Sequence, residues 1–304
     1  MGEKGKLLIV LHVDCEPAAE EGNCFTNPAH PWRYDYEEAI AGCNNIFAVA
    51  LEEGVPITWL IFVERDRTEW VDKLVEYKLI HKWIERGHEI GIHPHHFIWD
   101  VRHRRWEENG VDVCDPEKFY EDVIFGCKRL VELGVKVKSY KGGYHQMNNY
   151  ILAALRRSDI KYTFFLPVNS KKRPYEDRVY YDWKGVSWKV PYFMDQDYRK
   201  RGNKGVLAVP IGIYRKLWRK ITANWAISIR YLEKIVDDYI ALARKEGLAI
   251  LGVFTHNWQK RGSPENLKKF IDMCRDKGNN IDFSTLSDAC ERWIATQTEK
   301  PKGR

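Results

Sequence analysis

The stretch Gly87-His88-Glu89-Ile90-Gly91-Ile92-His93-Pro94-His95-His96 decides how the chain is read. Ile90-Gly91-Ile92 is a short apolar run of the kind that forms a buried strand. Four of the ten histidines fall within nine residues, and three of them stand just past that run. In α/β folds the C-terminal ends of the strands form the rim where ligand sites gather. Imidazole is the commonest protein ligand for zinc and similar ions, so His93, His95 and His96 read as metal-binding or catalytic. A solvated polar turn is the competing reading. What decides is whether carboxylates and further histidines stand at other strand ends.

Working outward, residues 6–14 (KLLIVLHVD) form a continuous aliphatic run, a second buried parallel strand. It ends in Asp14-Cys15-Glu16-Pro17, and Pro17 helps to stop the strand. Two acids this close need a cation, a shared proton or a metal. Residues 18–34, rich in Gly, Pro and Asn, make a long loop expected to wall the site. A helix over 36–53 closed by Gly54, a strand over 57–63 and one helix over 68–86 lead to the histidine stretch. Beyond it come a polar excursion over 98–114 and a helix over 116–133 capped by Asp115. A strand over 137–140 then runs into Lys141-Gly142-Gly143-Tyr144-His145. The order continues with a helix (147–158), a strand (161–166), an irregular segment (167–204) carrying Asp182-Trp183, and a strand (206–213) interrupted by Pro210. A helix (227–246) precedes the strand 248–255, which ends in His256-Asn257-Trp258. Helix (264–277), strand (281–284) and helix (286–296) complete the chain, before a polar tail expected to fray.

Alternating strands and helices argue a parallel sheet or barrel with helices outside. No Gly-x-Gly-x-x-Gly or phosphate loop follows a strand, which argues against a nucleotide cofactor. With no internal repeat or linker, residues 1–304 read as one catalytic domain with its core over roughly 6–296. Apolar residues make up 44% of the chain, enough for a large core. The seven scattered cysteines contain no Cys-x-x-Cys pair, so a disulfide framework or zinc ribbon is not expected and a reducing compartment is. The run Leu7 to Leu11 is too short for a signal-peptide core or membrane span, and a cytoplasmic protein is expected. The net charge of +6 concentrates in Arg199-Lys200-Arg201, Lys204 and residues 214–220. That pattern suits a solvated surface or an anionic partner; no nucleic-acid motif accompanies it.

Polar groups therefore line up at successive strand ends: Asp14 and Glu16, then His93, His95 and His96, then Lys141 and Tyr144, then His256. This is the layout of a metal-assisted hydrolase. The sequence here resembles the polysaccharide deacetylases, the NodB-homology carbohydrate esterases, over roughly residues 6–293. The resemblance rests on His12-Val13-Asp14-Cys15-Glu16-Pro17, on His88-Glu89-Ile90-Gly91-Ile92-His93, on Lys141-Gly142-Gly143-Tyr144, on Phe254-Thr255-His256 and on the turn Phe283-Ser284-Thr285-Leu286-Ser287.

What the resemblance implies is a distorted (β/α) barrel of about seven parallel strands and metal-dependent hydrolysis of an N-acyl or O-acyl group. By it, Asp14 is the base that activates water, and Glu16 and His93 are metal ligands. His256 is the acid on the leaving amine, and the Tyr144 backbone N–H assists the oxyanion. The family's second histidine follows the first by four residues and falls here on Phe97. His95 or His96 must replace it; His96 is the expected ligand and His95 a substrate contact. Lys141 stands for the family's arginine and loses its bidentate fork. Asp182 is expected either to contact Lys141 or the substrate or to cap a loop. Trp258 is expected either to line an acyl pocket or to be core. The metal expected is zinc, with cobalt, nickel, manganese or iron also suited to such ligands.

The expected substrate is a nucleotide-linked or lipid-linked acylated sugar of surface-polysaccharide synthesis. A small non-sugar amide is the alternative within enzymes. A catalytically silent barrel that binds glycan or a partner protein is the alternative outside them. A glycosidase would need a second acid facing Asp14 and Glu16, and none is identified.

Overall fold

A computed structural model describes residues 5–19, 34–65, 67–100, 104–108, 115–167, 171–172, 179–186, 189–216, 219–258 and 263–299. Seven parallel strands form its centre: β1 (Lys6–Cys15), β2 (Thr58–Ile61), β3 (Glu89–Ile92), β4 (Ser139–Tyr140), β5 (Tyr162–Phe165), β6 (Leu207–Pro210) and β7 (Leu248–His256). They pair in the order β6-β5-β4-β3-β2-β1-β7. Just past β6, Ile211 makes a parallel bridge to Gly252 of β7, and the Gly212 N–H donates to the Gly252 carbonyl at 3.0 Å. That contact closes the ring. The expected barrel of about seven strands is what the chain builds.

The distortion has a visible origin in β1. Its one edge pairs with β7 from Lys6 to Asp14, but its other edge is shared. Leu7–Val10 pair with an eighth strand, β8 (Ile281–Ser284), whereas His12–Cys15 pair with β2. The fork leaves β1 as the strand with the most partners, and Leu7 through Leu11 are fully buried. Burial on both faces is why this run is aliphatic without alternation.

Eight helices appear among the described residues: α1 (Tyr36–Glu52), α2 (Glu69–Glu76), α3 (Leu79–Glu85), α4 (Pro116–Val131), α5 (Asn149–Arg157), α6 (Ile229–Glu246), α7 (Ser263–Asp276) and α8 (Leu286–Glu299). The expected cap on α4 forms, with Asp115 accepting from the N–H groups of Glu117 and Lys118. None of these helices is long and apolar enough to cross a membrane.

Two expectations need correction. The single helix over 68–86 is two, α2 and α3, broken at Lys78 with φ 58°. The buried residues give the reason. Trp70, Val71 and Leu74 face inward from α2, and Leu79, Ile80 and Trp83 from α3. At 3.6 residues per turn an unbroken helix would set these two groups on opposite sides. The left-handed residue re-phases the chain so that both are buried. The strand expected over 206–213 ends at Pro210, and Ile213–Lys216 instead pairs antiparallel with Arg219–Thr222.

The excursion after the histidines is a hairpin, Phe97–Asp100 with Arg105–Glu108. The loop expected to wall the site lies outside the described residues over 20–33, as do Arg102, His103, Cys24, Cys114, Leu217, Trp218 and the tail from 300 onward. The five described cysteines Cys15, Cys43, Cys127, Cys274 and Cys290 are free thiols.

Helix α1 sits directly on the turn after β7. A Cβ built on Gly42 would lie 1.8 Å from the Asn257 carbonyl oxygen. The Asn257 side chain ties the same region together: its Nδ2 donates to the Ala39 carbonyl at 3.1 Å, and its Oδ1 accepts from the Glu16 N–H at 2.9 Å. Gly42→Ala must therefore lift α1 from the barrel rim. We expect it to destabilise the protein by at least the ~3 kcal/mol typical of severe overpacking, measured by urea denaturation. A melt superimposable on wild type would contradict this packing.

Candidate active site

Parallel pairing sets the site. Asp14 lies opposite His256 across β1 and β7, and opposite Leu60 across β1 and β2. The C-terminal ends of β1, β2, β3, β4 and β7 thus open on one mouth. The loops leaving them carry Glu16, Glu64, the three histidines and Lys141, and His256 is the last residue of β7.

Asp14 is 3% exposed, and its Oδ2 forms an ion pair with Lys141 Nζ, itself 2% exposed. His256 Nε2 stands 3.7 Å from the same oxygen. Asp14 Oδ1 is buried with no hydrogen-bond partner among the described residues. Burial acts to raise the Asp14 carboxyl, but Lys141, helped by His93 and His256, holds it well below the usual carboxylate range. Burial lowers the Lys141 ammonium below its ordinary value, with Asp14 opposing. The ammonium also sits 4.5 Å from the centroid of the Phe254 ring, whose face favours a cation.

Glu16 stands beside a cluster of imidazoles. Its Oε2 lies 2.8 Å from His95 Nε2 and 3.9 Å from His93 Nε2, and its Oε1 lies 3.4 Å from His256 Nε2. The Trp258 indole N–H donates to Oε1 at 3.1 Å. Burial raises this carboxyl too, but His95, His256 and His93 bring it down to about 2. His93 Nδ1 donates to the Lys141 carbonyl at 2.7 Å, since that oxygen can only accept. The tautomer is thereby fixed, and Nε2 is left with its lone pair facing Glu16. Burial pushes the His93 imidazole down to about 4, which keeps that lone pair available.

Glu16, His93 and His95 place one ligand atom each within 4.8 Å of one another. One carboxylate and two imidazoles are a donor set suited to a divalent ion with open positions. The residues fit such an ion, and the orphaned Asp14 Oδ1 beside them fits a proton acceptor.

The sequence expectations divide. Asp14, Glu16, His93, Lys141 and His256 come together. His96 does not join them. Its ring is fully buried on the far side of the loop, with Nδ1 3.0 Å from Asp122 Oδ2 and Nε2 3.1 Å from the Tyr140 hydroxyl. His95, expected as a substrate contact, takes the place expected for His96. Two consecutive side chains diverge, and only one can face Glu16. Asp182 is engaged elsewhere: its carboxylate accepts from Arg199 Nη1 at 3.0 Å and from the Lys184 N–H at 3.1 Å, the loop-capping alternative. Its neighbour Trp183 is buried and donates its indole N–H to the His145 carbonyl at 3.4 Å. Trp258 borders the site through Glu16 and packs tilted on His256, centroids 4.9 Å apart. Tyr144, with φ 45°, presents a 40% exposed ring edge-on to His95.

Sequence reasoning passed over several residues. Glu64 is a buried carboxylate just past the end of β2, the same signal that singled out Asp14. His12, two residues before Asp14, is fully buried and stacks on Phe164 at 3.8 Å. Burial holds it well below the ordinary imidazole range. Nothing in a strand of that composition separates a stacked histidine from a ligand.

No protein-family model matches the sequence, and no curated protein does. Solved structures do resemble it in fold. A putative polysaccharide deacetylase from Mycobacterium smegmatis aligns over 100% of this chain and 95% of its own, with a TM-score of 0.61 at 14% identity. A probable polysaccharide deacetylase from Pseudomonas aeruginosa PAO1 aligns over the same shares, with a TM-score of 0.61 at 13% identity. PuuE allantoinase aligns over 97% of this chain and 93% of its own, with a TM-score of 0.60 at 13% identity. The chain therefore has the fold of the polysaccharide deacetylases, the NodB-like distorted (β/α) barrel.

Proposed function

We propose that the protein is a metal-dependent deacylase that hydrolyses an N-acyl group, acetyl first among them, from a sugar. The observation that carries this reading is the set of Glu16, His93 and His95 converging beside a buried Asp14 whose second oxygen has no hydrogen-bond partner among the described residues. The fold shared with structures described as polysaccharide deacetylases supports it.

Glu16 Oε2, His93 Nε2 and His95 Nε2 would hold the ion, with zinc first and cobalt, nickel, manganese or iron also accommodated. A divalent ion there supplies Lewis-acid polarisation of the acyl carbonyl and acidifies the attacking water. Asp14 Oδ1 takes the proton from that water while Lys141 holds Oδ2 and keeps the carboxylate ionised. His256, between Asp14 and Glu16, gives a proton to the departing amine. The Tyr144 backbone N–H is the proposed donor to the oxyanion. The substrate class we favour is a nucleotide-linked or lipid-linked sugar, for which the net charge of +6 is suited. The likeness to an allantoinase supports a second reading, hydrolysis of a small non-sugar amide.

Elemental analysis tests the centre directly. Near-stoichiometric metal is expected in the wild type and in His96→Ala, and its loss in Glu16→Ala, His93→Ala and His95→Ala. Acetate release from acylated sugars, absent in Asp14→Asn, then separates the sugar from the small-amide reading. A wild type that takes up no divalent ion would sink both.

The Asp14–Lys141 pair yields a second expectation, on the metal-free protein. Because the folded Asp14 carboxyl is held below its unfolded value of about 3.9, the pair adds stability above that pH, lost as pH falls through the folded value. Lys141→Met strands a buried carboxylate, which costs about 3–5 kcal/mol at neutral pH. Burial, the largest influence on this group, then raises the folded value above the unfolded one, so protonation favours the folded state. The deficit relative to wild type should narrow as pH falls from about 7 to about 5 in urea melts. A deficit that widens would contradict the assignment.

A further inference from the structure

His95 and His96 are adjacent, chemically identical and both mostly buried, yet only His95 faces Glu16. The cause lies in Glu64. This carboxylate stands just past β2 and is fully buried. Its Oε1 accepts both the His95 N–H at 2.7 Å and the His96 N–H at 2.6 Å. Successive amides turned toward one anion form a backbone nest, which needs a left-handed residue, and His96 has φ 56°. With both amides pinned to one oxygen, the two side chains leave the loop in different directions. The His95 ring goes to Glu16, and the His96 ring goes to Asp122 and Tyr140.

The other half of the arrangement braces the His95 ring. Glu64 Oε2 accepts from Arg67 Nη1 at 2.6 Å in a buried ion pair. The guanidinium carbon of Arg67 stands 4.7 Å from the centre of the Phe97 ring. Phe97 in turn stacks on His95, with centroids 5.3 Å apart and planes within 11°. Gly143 completes the cradle: a Cβ there would come within 2.4 Å of the His95 ring. One carboxylate thus sets the backbone beneath His95 and, through Arg67 and Phe97, the wall beside it.

We propose that Glu64 is the positioning residue that selects His95 over His96 as the second imidazole ligand of the metal centre. The proposal rests on the reading of Glu16, His93 and His95 as ligands. Glu64 acts through the backbone amides of His95 and His96. A glutamine would keep one acceptor oxygen for those amides but would turn an NH₂ group toward the Arg67 guanidinium, donor against donor. A glutamine paired with Arg67→Met removes both buried charges and the donor-against-donor contact, and leaves the two amides a neutral, weaker acceptor, so this variant keeps the fold within reach if the single change does not.

The test is titration of the metal-free protein with Co(II). It is followed by calorimetry and by the visible d–d absorption, which reports the donor atoms. Wild type, Glu64→Gln, Glu64→Gln/Arg67→Met and Glu16→Ala are compared, each checked by circular dichroism. The expected result is a loss of about 10-fold to 100-fold in Co(II) affinity in both Glu64 variants, as for other residues that orient metal ligands, with an altered absorption band. The circular dichroism of the metal-free protein should be unchanged in at least the double variant. A purely structural ion pair would lower the melting temperature and leave the affinity and band of the folded protein alone. That outcome overturns the proposal while Glu16→Ala still loses the metal. If Glu16→Ala binds Co(II) like wild type, the ligand set itself is wrong and the proposal falls with it.

Discussion

Two carboxylates at the end of one strand, Asp14 buried and Glu16 partly so, are the constraint from which the site follows. Asp14 and Glu16 lie two residues apart at the mouth of the barrel, where water is largely excluded. An isolated ionised carboxyl there would be strongly disfavoured. Each therefore carries its own compensation. Asp14 has the Lys141 ammonium from the end of β4, and Glu16 has the imidazoles that follow β3 and β7. The ladder between β1 and β7 sets His256 opposite Asp14, and the curvature of the closed barrel brings the ends of β3 and β4 round to them. Without the contact between Ile211 and Gly252, β7 and its His256 would have no fixed relation to β6.

Around this charged centre the packing is aromatic. Phe254 meets the Lys141 ammonium, and its ring lies 5.7 Å from that of His12 and 5.5 Å from that of His145. Burial holds both of those imidazoles well below their ordinary range, so they stay neutral beside a cation. The floor of the site thus contributes little charge of its own, and the field at Asp14 is set by Lys141. A low-dielectric floor also strengthens the ion pair above it.

Much of this was legible in the chain. The aliphatic runs gave the strands, and the polar residues just past them gave the site, because side chains at the ends of parallel strands converge whatever the loops do. Asp115 as a cap on α4 was legible because an Asx side chain before a proline satisfies the orphan amides of a first turn. The helix over 68–86 was not, because local propensity favours continuity and only the position of the barrel wall requires a re-phased second half. The choice between the two roles expected for Asp182 was not legible, because its partner, Arg199, comes from a segment with no periodic signal. Glu64 was missed although it carries the same strand-end signal as Asp14, since nothing nearby in the sequence shows that it faces two backbone amides.

The sequence by itself determined a parallel sheet or barrel with helices outside, and the residue types at its strand ends: an acid pair, a histidine cluster, a lysine and a final histidine. Hydrophobic period and residue type are local properties, and they survive without coordinates. The tertiary structure alone decided which of two adjacent histidines faces Glu16, which oxygen of Asp14 is held, and which nitrogen of His93 is free. Those choices depend on where amides and carbonyls from distant strands stand, to within a few tenths of an ångström. No spacing along the chain encodes that.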